Sequence, residues 1–545
     1  MSDEKTSKTL SGKVLSPGLG RGKAFVYRDD LKRFDEFYDI EDSQVEEERN
    51  RFEVAVTEIS GDLEDLASRV NQEIHASLSD VFRAHALMVA DTSLKAEVHK
   101  EIRDELVSAG SAVRMVFRRW ERRFGSMEAE VARQKAEDMH DLARRLVLSL
   151  AGVRAHSLEH MPDGNVLVAT RLLPSDTIFL ARHKTAAAIL EVGGAASHAA
   201  LFAHEIGLPC VAGIPKVVDE VMPGELALVD ADKGEVIINP NQGQERLFHA
   251  KGQRRKRAGA KARAHALEPA TTTDGRKISV LANVGTVQDT QEAVANGADG
   301  IGLFRIERVY LGRQDPPDAA ELLEEIRSTL QPAKGLPVYV RLLDVGADKP
   351  LPFLEDQRES NPALGCRGIR FLLKYPELLQ RQLEALLRLS SDFDLHLLVP
   401  MVTMPSDIQR VKQLLIDAAS RTNNAQLPKL GAMIEIPAAA LAAPDIVKHA
   451  DFLSIGTNDL TQYSFAADRE NPAVDSYFDD THEVIFRLLR ILHEDVPQVP
   501  LSVCGELATR TRATAKLLKC GITSLSVAPP SIPEVKEAVR ECEAG

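Results

Sequence analysis

Apolar positions follow two rhythms along this chain, and the change from one to the other divides it. From about Ile40 to Leu150 the sequence is charged, poor in glycine and apolar at helical spacing. Phe52, Val56, Ile59, Leu63 and Leu66 mark a first helix; Val81, His85 and Met88 or Val89 mark a second. Val113, Phe117, Trp120 and Phe124 mark a third, and Met139, Leu142 and Leu146 a fourth, so the spacing predicts a helical insert of two hairpins. On either side the apolar residues come in short unbroken runs. KVLSPGLGRGKAFVYR from Lys13 predicts two strands about a Gly/Pro turn, and VLVAT, TAAAILEV, PCVAGI, LALVD and EVIIN predict more as far as Asn239. The early hairpin and this later region are expected to form one β/α domain interrupted by the helices.

The second half carries a longer series. Strand candidates begin at Ile278, Gly300, Val338, Leu395, Leu430, Phe452, Leu501 and Ser524, most separated by stretches long enough for a helix. Eight alternations of this kind predict a closed parallel barrel, whose site is built from loops at the carboxyl ends of the strands. Those ends deliver Arg305, Glu307, Arg341, Asp344, Glu435, Asn458, Asp459, Cys504 and Glu506, a set suited to a small, highly charged anion. Ahead of the barrel, NQGQERLFHAKGQRRKRAGAKARAHALEPA is strongly basic without an apolar stripe and reads as an exposed linker helix. An RNA-binding arm is the alternative, but no aromatic residue interleaves the charges from Lys251 to Arg263.

Composition narrows the classes. A chain of 545 residues has room for two to four domains, and a net charge of −14 argues against nonspecific nucleic-acid binding. The opening MSDEKTSKTL has no apolar core and no long apolar run follows, so neither a secretion signal nor a membrane span is expected. Five cysteines without CxxC spacing fit a reducing cytoplasm better than a disulfide framework or a zinc site.

One histidine has a suggestive setting. The run AAAILEV leads into Gly193-Gly194-Ala195-Ala196-Ser197-His198, with Gly207 and Pro209 as stop signals for a following helix. Ser197 is a credible N-cap, which would put His198 in the first turn beside unpaired backbone N–H groups. That is an anion site by geometry, and a neutral imidazole there suits a phosphoryl acceptor. The competing reading is a histidine that caps or packs the helix; His204, without that setting, is read as structural.

Glu435 and Asp459 end adjacent strand candidates, and two hard oxygen ligands plus a substrate phosphate suit Mg²⁺. Separate loop salt bridges are the plainer alternative. Arg305 and Arg341, with Lys349, Arg367 and Arg469 in the loops of the same face, offer guanidiniums for phosphate and carboxylate. Cys504 ends the seventh strand, where a thiol still protonated at neutral pH can donate a proton.

With these residues in place, the chain resembles enzyme I of the bacterial sugar phosphotransferase system. It shares the wider pattern of phosphoenolpyruvate-utilising enzymes, including pyruvate phosphate dikinase and phosphoenolpyruvate synthase. GGAASHAALFAHEIGLPCVAG, GADGIGLFRIE, VRLLDVGADKPLPF, NPALGCRGIR, GAMIEIPAA, FLSIGTNDLTQYSFAADRENPAV and VCGELA carry the resemblance, in the family's order. It implies an α/β multidomain protein: a phosphohistidine β/α domain over residues 1–39 and 151–242, and an HPr-binding helical insert over 40–150. A linker helix over 243–270 and a TIM-type (β/α)8 barrel that binds phosphoenolpyruvate over 271–545 would follow.

The resemblance also implies roles. Glu435 and Asp459 would hold Mg²⁺, and Arg305, Arg341, Arg367 and Arg469 would hold phosphate. Lys349 would lie nearby, with Asn458 beside the substrate carboxylate. His198 would pass through a tele-phosphohistidine intermediate, and Cys504 would protonate the enolate carbon to release pyruvate. The phosphoryl group would then move to a histidine of an HPr-like carrier, drawn by the acidic helices, for sugar uptake or regulation. A homodimer through the barrel, in the cytoplasm, is implied as well.

Two stretches depart from the family's pattern. Its usual Gly-Gly-Arg-Thr-Ser-His-Thr has Ala195, Ala196 and Ala199 here, and the Gly-Asp after GELA is Thr509-Arg510. Each lost donor to a charged phosphate would cost roughly 1.5–3 kcal/mol if nothing replaces it. An ATP-using dikinase or synthase is the enzymatic rival; its ATP-grasp domain is not expected ahead of Lys13, and no Walker-type loop appears. A regulatory module that binds phosphoenolpyruvate without turnover is the non-enzymatic one.

Overall fold

The structure is a computed structural model. It describes residues 7–28, 38–73, 76–125, 130–153, 157–174, 176, 179–180, 183–193, 200, 202–203, 206–310, 313–346, 351, 353–354, 359, 361–422, 427–469, 471 and 474–544. The chain forms two compact units, residues 1–253 and 254–545.

In the first unit eight short strands make one sheet: β1 (Lys8–Ser11), β2 (Lys13–Ser16), β3 (Leu19–Tyr27), β4 (Val166–Ala169), β5 (Ala187–Leu190), β6 (Cys210–Ala212), β7 (Leu226–Asp230) and β8 (Glu235–Ile238), in the order β1-β8-β7-β3-β4-β5-β6-β2. The expected early hairpin does not form. β2 pairs with β6, and β3 with β4 and β7, so the strands flanking the Pro17-Gly18 turn never meet. Glycine explains the insertion of β3: a Cβ at Gly20 would lie 2.4 Å from the Ala186 carbonyl oxygen, and one at Gly22 2.2 Å from that of Gly164. Side chains there would force β3 away from the connections beside it.

Between β3 and β4 the described residues form five α-helices: α1 (Val45–Glu73), α2 (Ala76–Val89), α3 (Thr92–Asp104), α4 (Ala109–Gly125) and α5 (Glu130–Leu150). Periodicity gave four of them. The fifth, α3, buries Leu94, Val98 and Ile102, a spacing of four that was readable beside its N-cap, Asp91. The Asp91 carboxylate accepts from Ser93 and Leu94 N–H, both at 2.9 Å. Phe202, from the segment after β5, joins the helical core and meets Phe82 edge to face, with centroids 6.2 Å apart. That segment stops at Gly207, whose φ of +63° is left-handed, while Leu208 N–H donates to the Ala203 carbonyl at 2.8 Å.

The basic run folds as one helix, Gln242–Ala264. Lys251 pairs with Asp230 in the first unit, and in the second Lys261 pairs with Glu537 at 2.5 Å.

The second unit is the expected barrel. A short β9 (Ala270–Thr271) lies antiparallel to β10 (Lys277–Val284). Then come β11 (Ile301–Arg305), β12 (Pro337–Arg341), β13 (Asp394–Val399), β14 (Lys429–Ile434), β15 (Phe452–Ile455), β16 (Leu501–Val503) and β17 (Ser524–Val527). Each strand from β10 to β17 pairs parallel with the next, and β10 also pairs with β17, which closes the ring. Their near-continuous Val, Ile and Leu content suits strands covered on both faces. The intervening helices start from built caps: Thr286 and Asp289 form a reciprocal capping box, as do Asp318 and Glu321. No described helix is long and apolar enough to cross a membrane.

Candidate active site

The carboxyl ends of the barrel strands bring the charged residues together. Arg341, the last residue of β12, reaches Glu307 Oε1 at 2.7 Å and Asp344 Oδ2 at 3.1 Å. Asp344 also accepts from Arg367 at 3.0 Å, and Arg367 extends to Asp459 Oδ1 at 3.1 Å. Arg469 stands 3.8 Å from the other Asp459 oxygen. Charges alternate along this series, and its members come from the loops after β11, β12 and β15. Glu307, Asp344, Arg367 and Asp459 are all buried. Ion pairs this deep persist only when each charge is compensated, which makes the series one interdependent object.

Arg305 is the exception. It ends β11 with an accessible side chain, and among the described residues it makes neither an ion pair nor a side-chain hydrogen bond. Crowding of its head group by the surrounding mouth, and then the neighbouring Arg341 charge, lower its pKa although the residue keeps exposed surface. At Arg341 and Arg367 burial also acts to lower the pKa, but the carboxylates outweigh it and both end raised. The mouth therefore holds guanidiniums that are already compensated and one that is not.

Glu435 follows β14 and is 1% exposed. Its Oε1 accepts the N–H of Met401, a residue held at φ +53° in the loop after β13. Burial first, then the charges of Asp459 and Asp344, push the Glu435 carboxyl up to about 8. A Cβ at Gly456 would fall 2.8 Å from Glu435 Oε2, so only glycine lets the β15 loop pass this close. Asp459 lies in the first turn of the helix Thr457–Phe465, whose preceding residue is Gly456. Among the described residues no three His, Cys, Asp or Glu side chains gather as a metal cage. What the mouth offers a hard cation is the pair Glu435 and Asp459, a dry carboxylate and an electrostatically coupled neighbour.

Cys504 follows β16, 4% exposed, with Leu303, Leu398, Met433 and Phe452 around it. Its backbone is fixed at both ends: its N–H donates to Ile455 O at 3.0 Å, and its carbonyl accepts from Asn283 Nδ2 at 3.1 Å. Burial raises the thiol pKa. Asn458 Oδ1 accepts from Glu506 N–H at 2.9 Å, tying the β15 loop to the β16 loop.

Arg305, Arg341, Arg367, Glu435, Asn458, Asp459, Arg469 and Cys504 thus belong to one strand-end face. His198 and Lys349 lie outside the described residues, as do Ser197 and His204. Sequence reasoning assigned no role to Tyr463 or to the Met401 N–H. The Tyr463 hydroxyl accepts from Arg367 Nη1 at 3.4 Å and donates to the Ala363 carbonyl. A tyrosine one turn beyond Asp459 on a helix is a readable signal; a backbone N–H in a loop is not.

Three stretches match models of the PEP-utilising enzymes: the N-terminal domain over residues 11–135, the mobile domain over 161–234 and the PEP-binding domain over 259–544. The chain belongs to the PEP-utilising enzyme family. Its relatives in this family include "Phosphoenolpyruvate-protein phosphotransferase" of Haloferax volcanii, 34% identical over 99% of this chain and 95% of that protein. Proteins of the same name from Haemophilus influenzae and Priestia megaterium are 32% and 30% identical, over 97% and 98% of this chain and 93% and 94% of theirs. A solution structure titled as enzyme I covers 45% of this chain and 99% of its own, at 29% identity and a TM-score of 0.38. Within the family the chain sits among the phosphotransferases, which are transferase enzymes, and the mouth described above falls inside its PEP-binding domain.

Proposed function

We propose that this chain is a phosphoenolpyruvate–protein phosphotransferase that moves the phosphoryl group of phosphoenolpyruvate first to its own His198 and then to a histidine of an HPr-like carrier. The observation that carries this reading is Arg305, an accessible guanidinium that makes no ion pair among the described residues, at the mouth of a barrel whose Arg341 and Arg367 are compensated. Such a site calls for a small polyanion. Full-length similarity to proteins named for this reaction supports the same substrate.

The chemistry follows from the groups at hand. Arg305, Arg341, Arg367 and Arg469 hold the phosphate oxygens, with Lys349 beside them. Asn458 has its Oδ1 engaged by Glu506, which leaves its amide N–H groups to donate to the substrate carboxylate. Glu435 and Asp459 fit a divalent cation, because a buried carboxyl pushed up to about 8 by its neighbours is relieved by positive charge. Mg²⁺ is the ion we assign; when bound, it neutralises phosphate charge. The guanidiniums share that work, since phosphoryl transfer depends mainly on positioning and charge stabilisation. Cys504, kept protonated by burial, gives its proton to the enolate carbon, and pyruvate leaves.

The division of labour belongs to the same reading. Residues 1–39 and 151–242 carry His198, residues 40–150 dock the carrier, residues 243–270 link, and residues 271–545 bind the substrate and dimerise, in the cytoplasm. Incubation with phosphate-labelled phosphoenolpyruvate and Mg²⁺ tests it: the protein takes up label and passes it to an HPr-like carrier from the same cell. His198→Ala takes up none. Label retained by that variant refutes the acceptor, and ATP-dependent formation of phosphoenolpyruvate refutes the reaction.

A further inference from the structure

The Cys504 sulfur sits in an apolar cup, which suits a thiol better than the thiolate that proton transfer leaves behind. Leu303, Leu398, Met433 and Phe452 surround it, with Tyr339 packed against them. Two polar groups break this lining: the Ile455 carbonyl, which accepts from the Cys504 thiol at 3.5 Å, and one buried hydroxyl. Ser454, third residue of β15 and 2% exposed, places its Oγ 3.4 Å from the Cys504 sulfur. Among the described residues this is the only hydrogen bond of the Ser454 side chain. In the ladder Ser454 lies opposite Met433 of β14 and Ser502 of β16, so backbone pairing on both sides fixes its position. Cys504 is fixed as firmly, through Ile455 and Asn283.

We propose that Ser454 is a positioning residue for the proton-transfer step, its hydroxyl holding the Cys504 sulfur and supporting the thiolate once the proton has gone. This rests on Cys504 being the proton donor. In that step the S–H bond of Cys504 breaks and a C–H bond forms at the methylene carbon of the enolate. The enolate π electrons form the new bond as the carbonyl is restored. The S–H pair stays on sulfur, so the negative charge passes from the enolate oxygen to Cys504, and water reprotonates the thiolate after pyruvate leaves. A charge created in a dry cavity is costly unless a donor already points at it. Ser454 is that donor from β15, acting alongside the guanidiniums of Arg305 from β11 and Arg341 from β12 and against the carboxylate of Glu435 from β14. In the thiol state the Cys504 proton goes to the Ile455 carbonyl while the Ser454 hydroxyl donates to the sulfur, so the same donor is in place before and after the transfer.

The test uses the full-length protein and follows exchange of the pyruvate methyl protons with D₂O by NMR, in the presence of Mg²⁺. Ser454→Thr and Ser454→Val add the same bulk and differ only in the hydroxyl. The Thr variant is expected to exchange about tenfold faster than the Val variant, the rate equivalent of one ordinary hydrogen bond. The two should share a thermal midpoint and a KM for phosphoenolpyruvate, and the basic limb of the Val pH profile should move to higher pH. Ser454→Ala should behave as Val does. Equal rates and profiles for Thr and Val overturn the proposal for Ser454. Exchange at the wild-type rate in Cys504→Ala overturns the proton-donor reading, and the role of Ser454 with it.

Discussion

Arg367 and Asp459 face each other at 3.1 Å, joining the loop after β12 to the helix after β15. The same guanidinium holds Asp344 at 3.0 Å, so one cation compensates two buried carboxylates. Arg367→Ala should leave Asp344 with Arg341 alone and Asp459 with only the longer contact to Arg469, and cost about 3–5 kcal/mol, measured as a lowered urea midpoint. Pyruvate release should fall steeply at the same time. Arg367→Lys, which keeps the charge and loses the fork, should recover more stability than activity.

Arg305 should behave in the opposite way. Among the described residues it has no counter-ion to abandon, so Arg305→Met is expected to leave the thermal midpoint unchanged or raise it. Its effect should fall on the substrate: a KM for phosphoenolpyruvate raised about tenfold to a hundredfold, the equivalent of one charge-assisted contact. A midpoint that drops as far as that of Arg367→Ala would contradict this separation.

Glu435 gives a pH dependence of definite sign. Its carboxyl is raised from the ordinary 4.5 to about 8, so across that interval the folded protein holds a proton that the unfolded chain releases. This group's contribution to stability is full below the lower value and declines as pH rises toward the upper one. On the proposed reading, a dication held by Glu435 and Asp459 would take over the proton's role. Calorimetry with Mg²⁺ and with chelator should therefore show a larger metal-induced gain in midpoint at about pH 8.5 than at about pH 5.5. In Glu435→Gln both the gain and its pH dependence should vanish.

Phe202 packs among the helices although it belongs to the segment after β5. Truncation to Ala should cost about 3–5 kcal/mol in the stability of the first unit, as for other large aromatic deletions in cores. Limited proteolysis should then release fragments from residues 1–253 first, with phosphoenolpyruvate binding by the barrel retained. Since Phe202 is only four residues past His198, self-phosphorylation is the second readout, and it should slow.

Arg510 stands where the family's pattern has an acid, and its Nε donates to Asp480 at 2.9 Å. Asp480 is 4% exposed, and burial raises its pKa against the pull of that guanidinium. Arg510→Ala should therefore destabilise the barrel by roughly 1–3 kcal/mol, and adding Asp480→Asn should restore most of the loss. Additive effects in the double variant would separate the two residues.

Much of this was legible before any coordinates. The eight barrel strands were written as apolar runs long enough to identify, and the charged residues at their ends could be listed because a parallel barrel fixes which end of a strand is the mouth. Pairing partners were less legible. Nothing local in KVLSPGLGRGKAFVYR says that β2 will seek β6 nearly two hundred residues later, and a Gly/Pro turn imitates a hairpin. The helix α3 was missed because its three apolar residues spread thinly over a charged segment. In the mouth, residue identities were readable but their accounts were not. Which guanidinium would be left over depends on side chains from three loops meeting, and sequence spacing carries no such information.

The brace between Asn283 and Cys504 spans 221 residues. One partner is the last residue but one of the first barrel strand and the other follows the seventh, and the same asparagine also donates to the Ser526 carbonyl in the eighth. The first strand of the ring therefore waits for nearly all of the second unit to be made before it can fix the Cys504 backbone in place.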